Sequence, residues 1–251
     1  MTNGCLRVPF QGGQPECAAG DTASPTTVAL VGDSHAAMLN PAFQQIAAQR
    51  HWRLEMMAKA ACPLTDSAIT YDFFSGLVER FQHCEQWRAQ IIARLRAEHP
   101  QLIVVSQARG YGAGSWLPGF TVHDPAWIDS LARLVQQLRG TGAKVLVLGP
   151  TPVPRVSVPD CLSGHLDDVT ACSSLRSFAI NEPGIAAESA AINGGGGQYA
   201  DLTELFCTAN RCPFIVGNTM VYFDESHLTR EYSRLLAPAM GALVDRALAA
   251  G

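Results

Sequence analysis

Three short stretches, 27–31, 101–106 and 144–148, are apolar at nearly every position rather than at every second one. A strand apolar on both faces is covered on both faces, which is the habit of parallel sheets. Stretches of helical period lie between them. Phe43, Ile46 and Ala47 recur within 41–50, Trp87, Ile91 and Leu95 within 84–98, and Ile128, Leu131, Val135 and Leu138 within 125–139. Gly140 and Gly142 end the last of these. Residues 52–58 read as a further strand, 199–205 as a fifth, and 228–249 as a closing helix kinked at Pro238. Residues 150–172, with four prolines and two cysteines, read as a loop excursion. Residues 175–191 read as partly helical, interrupted by Pro183 and Gly184, and 194–197 as a flexible turn. Strands alternating with helices predict an α/β fold: a parallel sheet of roughly five strands between two helical layers. Residues 1–26, rich in Gly, Pro and Thr, read as an irregular N-terminal arm or linker with a cysteine pair, and 27–251 as a single domain.

Composition excludes several classes. At 47% apolar residues the chain can build a core and is not a disordered segment. Charged residues are 16%, and 18 basic against 22 acidic side chains give a net charge of −4. No basic cluster offers a phosphate-backbone footprint, so no nucleic-acid partner is expected. No apolar run approaches the ~20 residues of a spanning helix, so no transmembrane segment is expected in this chain.

The cysteines, at 5, 17, 62, 84, 161, 172, 207 and 212, are even in number and lack a repeated CxxC. That spacing argues against a structural zinc site and for disulfides, which persist in oxidising compartments. Pairing of nearest neighbours predicts Cys5–Cys17, Cys62–Cys84, Cys161–Cys172 and Cys207–Cys212. Met1-Thr2-Asn3-Gly4-Cys5 has neither the basic start nor the apolar core of an export signal. Oxidised cysteines without such a signal suggest a piece of a larger protein whose other part carries it across a membrane.

In open α/β sheets, sites form beyond the carboxyl ends of the strands. The first strand ends in Gly32-Asp33-Ser34-His35. A serine at a strand-to-helix turn has an exposed hydroxyl and backbone N–H groups beside it for a developing oxyanion. The same residues also suit a simple helix cap. Far along the chain stands Tyr222-Phe223-Asp224-Glu225-Ser226-His227-Leu228-Thr229. Asp224 precedes His227 by three positions, a spacing that lets a carboxylate reach an imidazole within one tight turn. A serine hydroxyl becomes nucleophilic when a base takes its proton, and a carboxylate holds that base in the right tautomer.

These blocks resemble the SGNH (GDSL-like) hydrolases, and more closely the extracytoplasmic SGNH domains fused to type-3 membrane acyltransferases. The resemblance rests on GDSH, Cys62-Pro63 after the second strand, Cys84-x-x-Trp87, Leu205-Phe206-Cys207 with Cys212, and the Tyr-x-Asp-x-x-His-Leu-Thr ending. It implies an SGNH-like three-layer α/β sandwich. It also implies a role in O-acetylating cell-surface glycans such as lipopolysaccharide O-antigen or peptidoglycan. The implied location is the periplasm or another extracytoplasmic space. No cofactor is implied on this chain itself. The acetyl group would come from cytoplasmic acetyl-CoA through an integral-membrane partner domain, with a glycan as acceptor.

By the same resemblance Ser34 is the nucleophile, His227 the base and Asp224 its orienter, with Asp33 and His35 positioning them. The family commonly places a Gly after strand two and an Asn after strand three for the oxyanion. This chain has Lys59-Ala60-Ala61-Cys62 and Ser106-Gln107-Ala108-Arg109-Gly110 there. The expected oxyanion donors are therefore the N–H groups of Ser34 and Ala61 and the side chain of Gln107 or Arg109, although Arg109 suits a salt bridge equally. Tyr111, Trp116, Phe120 and Trp127 lie in or near the loop after strand three and offer faces for a sugar ring or packing for that loop. His51, His83, His99, His123 and His165 lack metal-ligand spacing and read as surface residues. Water in place of a glycan hydroxyl would make the same triad an esterase. A non-catalytic glycan-binding domain is the third reading.

Overall fold

The core divides by alternation along the strands. In β3 (Thr27–Gly32), Val28 and Leu30 join one apolar cluster while Ala29 and Val31 join the other. β5 (Leu102–Ser106) repeats this with Leu102 and Val104 against Ile103 and Val105. β6 (Lys144–Leu148) does so with Leu146 and Leu148 against Val145 and Val147. Each such side chain, fully buried, contributes roughly 1.5–3 kcal/mol of transfer free energy. Both faces are therefore driven to acquire a helical layer.

A computed structural model describes residues 4–66, 76–111 and 125–250. In chain order its remaining elements begin with β1 (Leu6–Arg7), β2 (Ala18–Gly20), α1 (Ser34–Arg50), β4 (Arg53–Lys59) and α2 (Leu77–Glu98). α3 (Pro125–Arg139), α4 (Val158–Ser163), β7 (Ser174–Leu175), α5 (Arg176–Ala179), α6 (Glu182–Gly194) and β8 (Gln198–Ala200) follow. β9 (Arg211–Cys212), β10 (Ile215–Val216), β11 (Thr219–Met220), α7 (Arg230–Leu235) and α8 (Ala237–Ala249) complete the fold. The sheet order is β1-β4-β3-β5-β6-β8, and the five strands from β4 to β8 are mutually parallel. The helices α1, α7 and α8 supply one apolar layer, and α2, α3 and part of α6 the other.

The N-terminal arm differs from the irregular segment expected. β1 pairs parallel and β2 antiparallel with β4, so the arm extends the sheet. Its anchors are polar and buried. Glu55 on β4 accepts from the Cys17 N–H at 2.8 Å and from Arg94 at 2.6 Å. Lys59 donates to the carbonyls of Val8 and Gln11 at 3.1 and 2.6 Å, and its burial pushes its pKa down to about 8. Two strands of two and three residues leave little periodicity to read.

Three other boundaries move for physical reasons. α1 begins at Ser34 rather than Pro41, and Ala36, Ala37, Met38, Leu39 and Asn40 are all buried. A helix covered on most sides shows no polar face in its sequence. Pro183 stands in the first turn of α6, where its missing N–H is harmless, so it opens a helix instead of interrupting one. The C-terminal helix is two helices meeting at Leu236, with Pro238 in the first turn of the second. The 150–172 excursion carries α4 and a 3₁₀ turn over Val169–Cys172.

Bonds join Cys5 to Cys17, Cys62 to Cys84, Cys161 to Cys172 and Cys207 to Cys212. Among the described residues no helix is long and apolar enough to cross a membrane.

Candidate active site

Gly32 sets the geometry of the turn after β3. Its φ is +149°, and a Cβ there would overlap the Ser106 carbonyl oxygen on β5. Only glycine fits this close approach. Asp33 follows as the N-cap of α1 and is fully buried. Its Oδ1 accepts from the His35 N–H at 2.7 Å, and its Oδ2 from the Ala108 N–H at 2.8 Å and the Tyr111 hydroxyl at 2.6 Å. One carboxylate thus ties the β3 turn to the loop after β5. The Asp33 carbonyl accepts from Ala36 and Ala37, so these acceptors leave the Ser34 N–H untaken.

The second block is a tight loop. Tyr222 and Leu228 form an antiparallel bridge, the Phe223 N–H donates to the His227 carbonyl at 3.0 Å, and the Thr229 N–H to the Val221 carbonyl at 2.8 Å. The Tyr222 hydroxyl anchors the loop on the Pro152 carbonyl at 2.7 Å. Thr229, not Asp224, caps α7. Asp224 Oδ1 instead accepts the N–H groups of Ser226 and His227 at 2.7 and 2.6 Å, which aims Oδ2 at the imidazole.

Residues 193 positions apart meet here: His227 Nε2 lies 2.8 Å from Ser34 Oγ, and His227 Nδ1 lies 2.8 Å from Asp224 Oδ2. Burial opposes charging of His227, but the hydrogen bond and the charge of Asp224 outweigh it and raise its pKa above 6.5. Burial acts the other way on Asp224, whose pKa is nevertheless lowered by His227 and the two backbone donors. His35 stands 5.5 Å from His227, ring centre to ring centre, and burial pushes its pKa down to about 4. It is therefore neutral where His227 titrates. Such an arrangement has the geometry to deprotonate a serine and store the proton on a carboxylate-backed imidazole.

The candidate oxyanion donors separate. Ala61 lies in the turn after β4 with φ +52°, a left-handed backbone that glycine adopts more readily. The neighbouring N–H groups of Ala60 and Cys62 are held by the carbonyls of Arg7 and Lys59. Gln107 is 1% exposed, and its Oε1 accepts from the Leu64 N–H at 2.8 Å. Its Nε2 has no partner among the described residues. Arg109 is a correction to the expectation above. Its guanidinium is buried and turned onto Glu188, with Nε 3.0 Å from Oε1 and Nη2 2.8 Å from Oε2. It also donates to the carbonyls of Gln107 and Leu148. All three of its nitrogens are engaged, so it braces the sheet end instead of facing an oxyanion.

Glu188 had no visible signal in the sequence. It is fully buried on α6 and also accepts from Trp127 Nε1 at 2.8 Å and the Tyr199 hydroxyl at 3.0 Å. Trp127 and Tyr111 are accordingly buried and hydrogen-bonded, not open sugar platforms. Trp116, Phe120 and His123 lie outside the described residues. His51, His99 and His165 are exposed and His83 is half-buried. His165 Nδ1 lies 3.5 Å from Cys172 Sγ, a sulfur already bonded to Cys161. Phe223 was also missed. Its ring stacks on His227 with centres 5.7 Å apart and planes 19° apart.

Residues 4–242 match the profile of the SGNH domain fused to AT3 domains. The chain belongs to this family. The SGNH fold is shared with the periplasmic domain of the lipopolysaccharide acetyltransferase of Salmonella serovar Paratyphi A. That structure superposes with a TM-score of 0.68 at 17% identity, over 97% of this chain and 87% of that one. The acetyl xylan esterase AlAXEase superposes with a TM-score of 0.51 at 11% identity, over 87% and 99% respectively. A comparison of this SGNH domain with curated protein sequences gives no match.

Proposed function

We propose that this SGNH domain is an O-acetyltransferase that moves an acetyl group through a Ser34 acyl-enzyme onto a hydroxyl of a cell-surface glycan. The observation that carries the reading is the Ser34–His227–Asp224 chain of two 2.8 Å contacts, set in a domain of the AT3-fused family. In the first half-reaction Ser34 Oγ attacks the acyl carbonyl while His227 Nε2 takes its proton. Asp224 stabilises the imidazolium. The negative oxygen is received by the N–H groups of Ser34 and Ala61 and by Gln107 Nε2. Collapse breaks the bond to the donor's leaving group, which leaves with the proton from His227. In the second half-reaction His227 takes the proton of a glycan hydroxyl, which attacks the acyl-enzyme. Ser34 departs with that proton.

The acetyl donor would be presented by the membrane domain, drawing on acetyl-CoA across the membrane. The four disulfides support an extracytoplasmic location, periplasmic in a cell with an outer membrane. Lipopolysaccharide sugars and peptidoglycan are the glycans to try. The esterase reading keeps every step but the last, where water replaces the sugar hydroxyl. The likeness to an acetyl xylan esterase is the observation behind it.

The test is acetate release from 4-nitrophenyl acetate by wild type and Ser34→Ala, with and without oligosaccharides from lipopolysaccharide and peptidoglycan. Ser34-dependent formation of acetylated sugar establishes transfer. Ser34-dependent hydrolysis with no sugar product selects the esterase. Equal rates with and without Ser34 overturn both.

A further inference from the structure

A groove of about 980 Å³, at the upper end of the volumes typical of small-molecule sites, is lined by residues that flank the triad in sequence, though by none of the three themselves. Its floor is α1. Ala37, Met38, Pro41 and Gln44 line it, and with Ser34 they follow a three-to-four-residue spacing, which places them on one face of the helix. Ser34 stands at the N-terminal end of that face and Gln44 about 15 Å further along it, at 1.5 Å per residue. One wall carries Phe223 and Leu228, the residues flanking the triad loop. The opposite wall includes the Cys5–Cys17 disulfide of the arm.

The lining offers neutral polar groups. Pro41 has no N–H, so the Ala37 carbonyl lacks its helical partner at the groove floor. Asn40 also lines the groove, is only 8% exposed, and its carboxamide oxygen has no hydrogen-bond partner among the described residues. A buried polar atom left unpaired costs about 1–3 kcal/mol, which a ligand donor would recover. Phe223 adds an aromatic ring that is 39% exposed. Among the described lining residues the only basic side chain is Arg230, beside the acidic Glu16 and Glu231. That balance does not suit a polyphosphate donor such as a nucleotide thioester.

We infer that this groove is the acceptor subsite: it holds a neutral segment of the glycan chain along α1 and delivers one hydroxyl to Ser34. The inference rests on the proposed transfer reaction and names where its acceptor lies. It also gives the disulfide-closed arm a task, since the arm forms a wall of the groove.

The test uses the full-length protein in its own cells, with acetate released by alkali from purified surface glycan as the readout of transfer. Hydrolysis of 4-nitrophenyl acetate reads the triad alone. Gln44→Trp fills the groove far from Ser34 on an exposed helix position, and Glu231→Trp fills it from the facing wall. The expected result is at least a tenfold fall in glycan acetate for both variants, with ester hydrolysis within twofold of wild type. Unchanged glycan acetate overturns the assignment. A parallel fall in both readouts also overturns it, because the substitutions then act through the triad and not through the acceptor. Full glycan acetylation by Ser34→Ala would instead sink the transferase reading itself, so the two failures are distinct.

Discussion

Arg109 and Glu188, 79 residues apart, form a buried two-pronged pair at the carboxyl end of the sheet. The pair joins the loop after β5 to α6, and Trp127 and Tyr199 also donate to the glutamate. Its place in the loop that follows β5 invites a catalytic role, but its geometry assigns a structural one. Arg109→Met strands a buried carboxylate, which costs about 3–5 kcal/mol. Urea denaturation should show that loss, while the folded fraction hydrolyses 4-nitrophenyl acetate within threefold of wild type. A hundredfold fall in kcat at full stability would return Arg109 to the chemistry.

The pH profile follows from Asp224. The proposed mechanism needs His227 neutral, and Asp224 raises its pKa, so kcat/KM should climb with pH through an apparent pKa above 6.5. His35, held near 4, adds no step in that range. Asp224→Asn should cut kcat by about 10⁴-fold. It should also move the limb to lower pH, because the group that favours the imidazolium is gone. An unmoved limb would mean that another group sets it.

Gln107 tests the oxyanion assignment. Gln107→Met removes the proposed Nε2 donor, and loss of one oxyanion donor lowers kcat by roughly 10²–10³-fold. KM should change little. The same variant unpairs the Leu64 N–H, so a stability loss of about 1–3 kcal/mol should accompany it. A stability loss with unchanged kcat would reduce Gln107 to a loop tie.

Ala61 carries a left-handed backbone that costs a non-glycine residue about 1–2 kcal/mol. Glycine removes that strain but adds about 0.5–1 kcal/mol of unfolded-state entropy. Ala61→Gly should therefore raise stability by up to about 1.5 kcal/mol in thermal unfolding and keep the esterase rate. A drop in Tm would show that the Ala61 methyl is packed.

Much of the fold was legible because burial on both faces leaves a plain mark. The runs that became β3, β5 and β6 are apolar at successive positions, and α3 and β6 begin and end where their patterns do. Short or wholly buried elements left no such mark. β1 and β2 are too brief to show a period, and the first turns of α1 lack a solvent face. The residue types of the triad were visible for a chemical reason, since serine, histidine and aspartate in two short blocks have few joint uses. Phe223 stood inside one of those blocks and was still missed, because an exposed aromatic beside a histidine has no signature of its own.

By itself the sequence determined the layered α/β plan, Ser34, Asp224 and His227 as the candidate triad, and a cysteine set suited to four short loops. The tertiary structure decided which side-chain donors are already spent on other partners. Gln107 and Arg109 are two residues apart and equally able to donate, yet one keeps an Nε2 with no partner among the described residues and the other is spent on Glu188. The physical reason is that donor capacity is a property of a residue, whereas its availability depends on partners brought in by folding. Here that partner comes from a helix 79 residues further on.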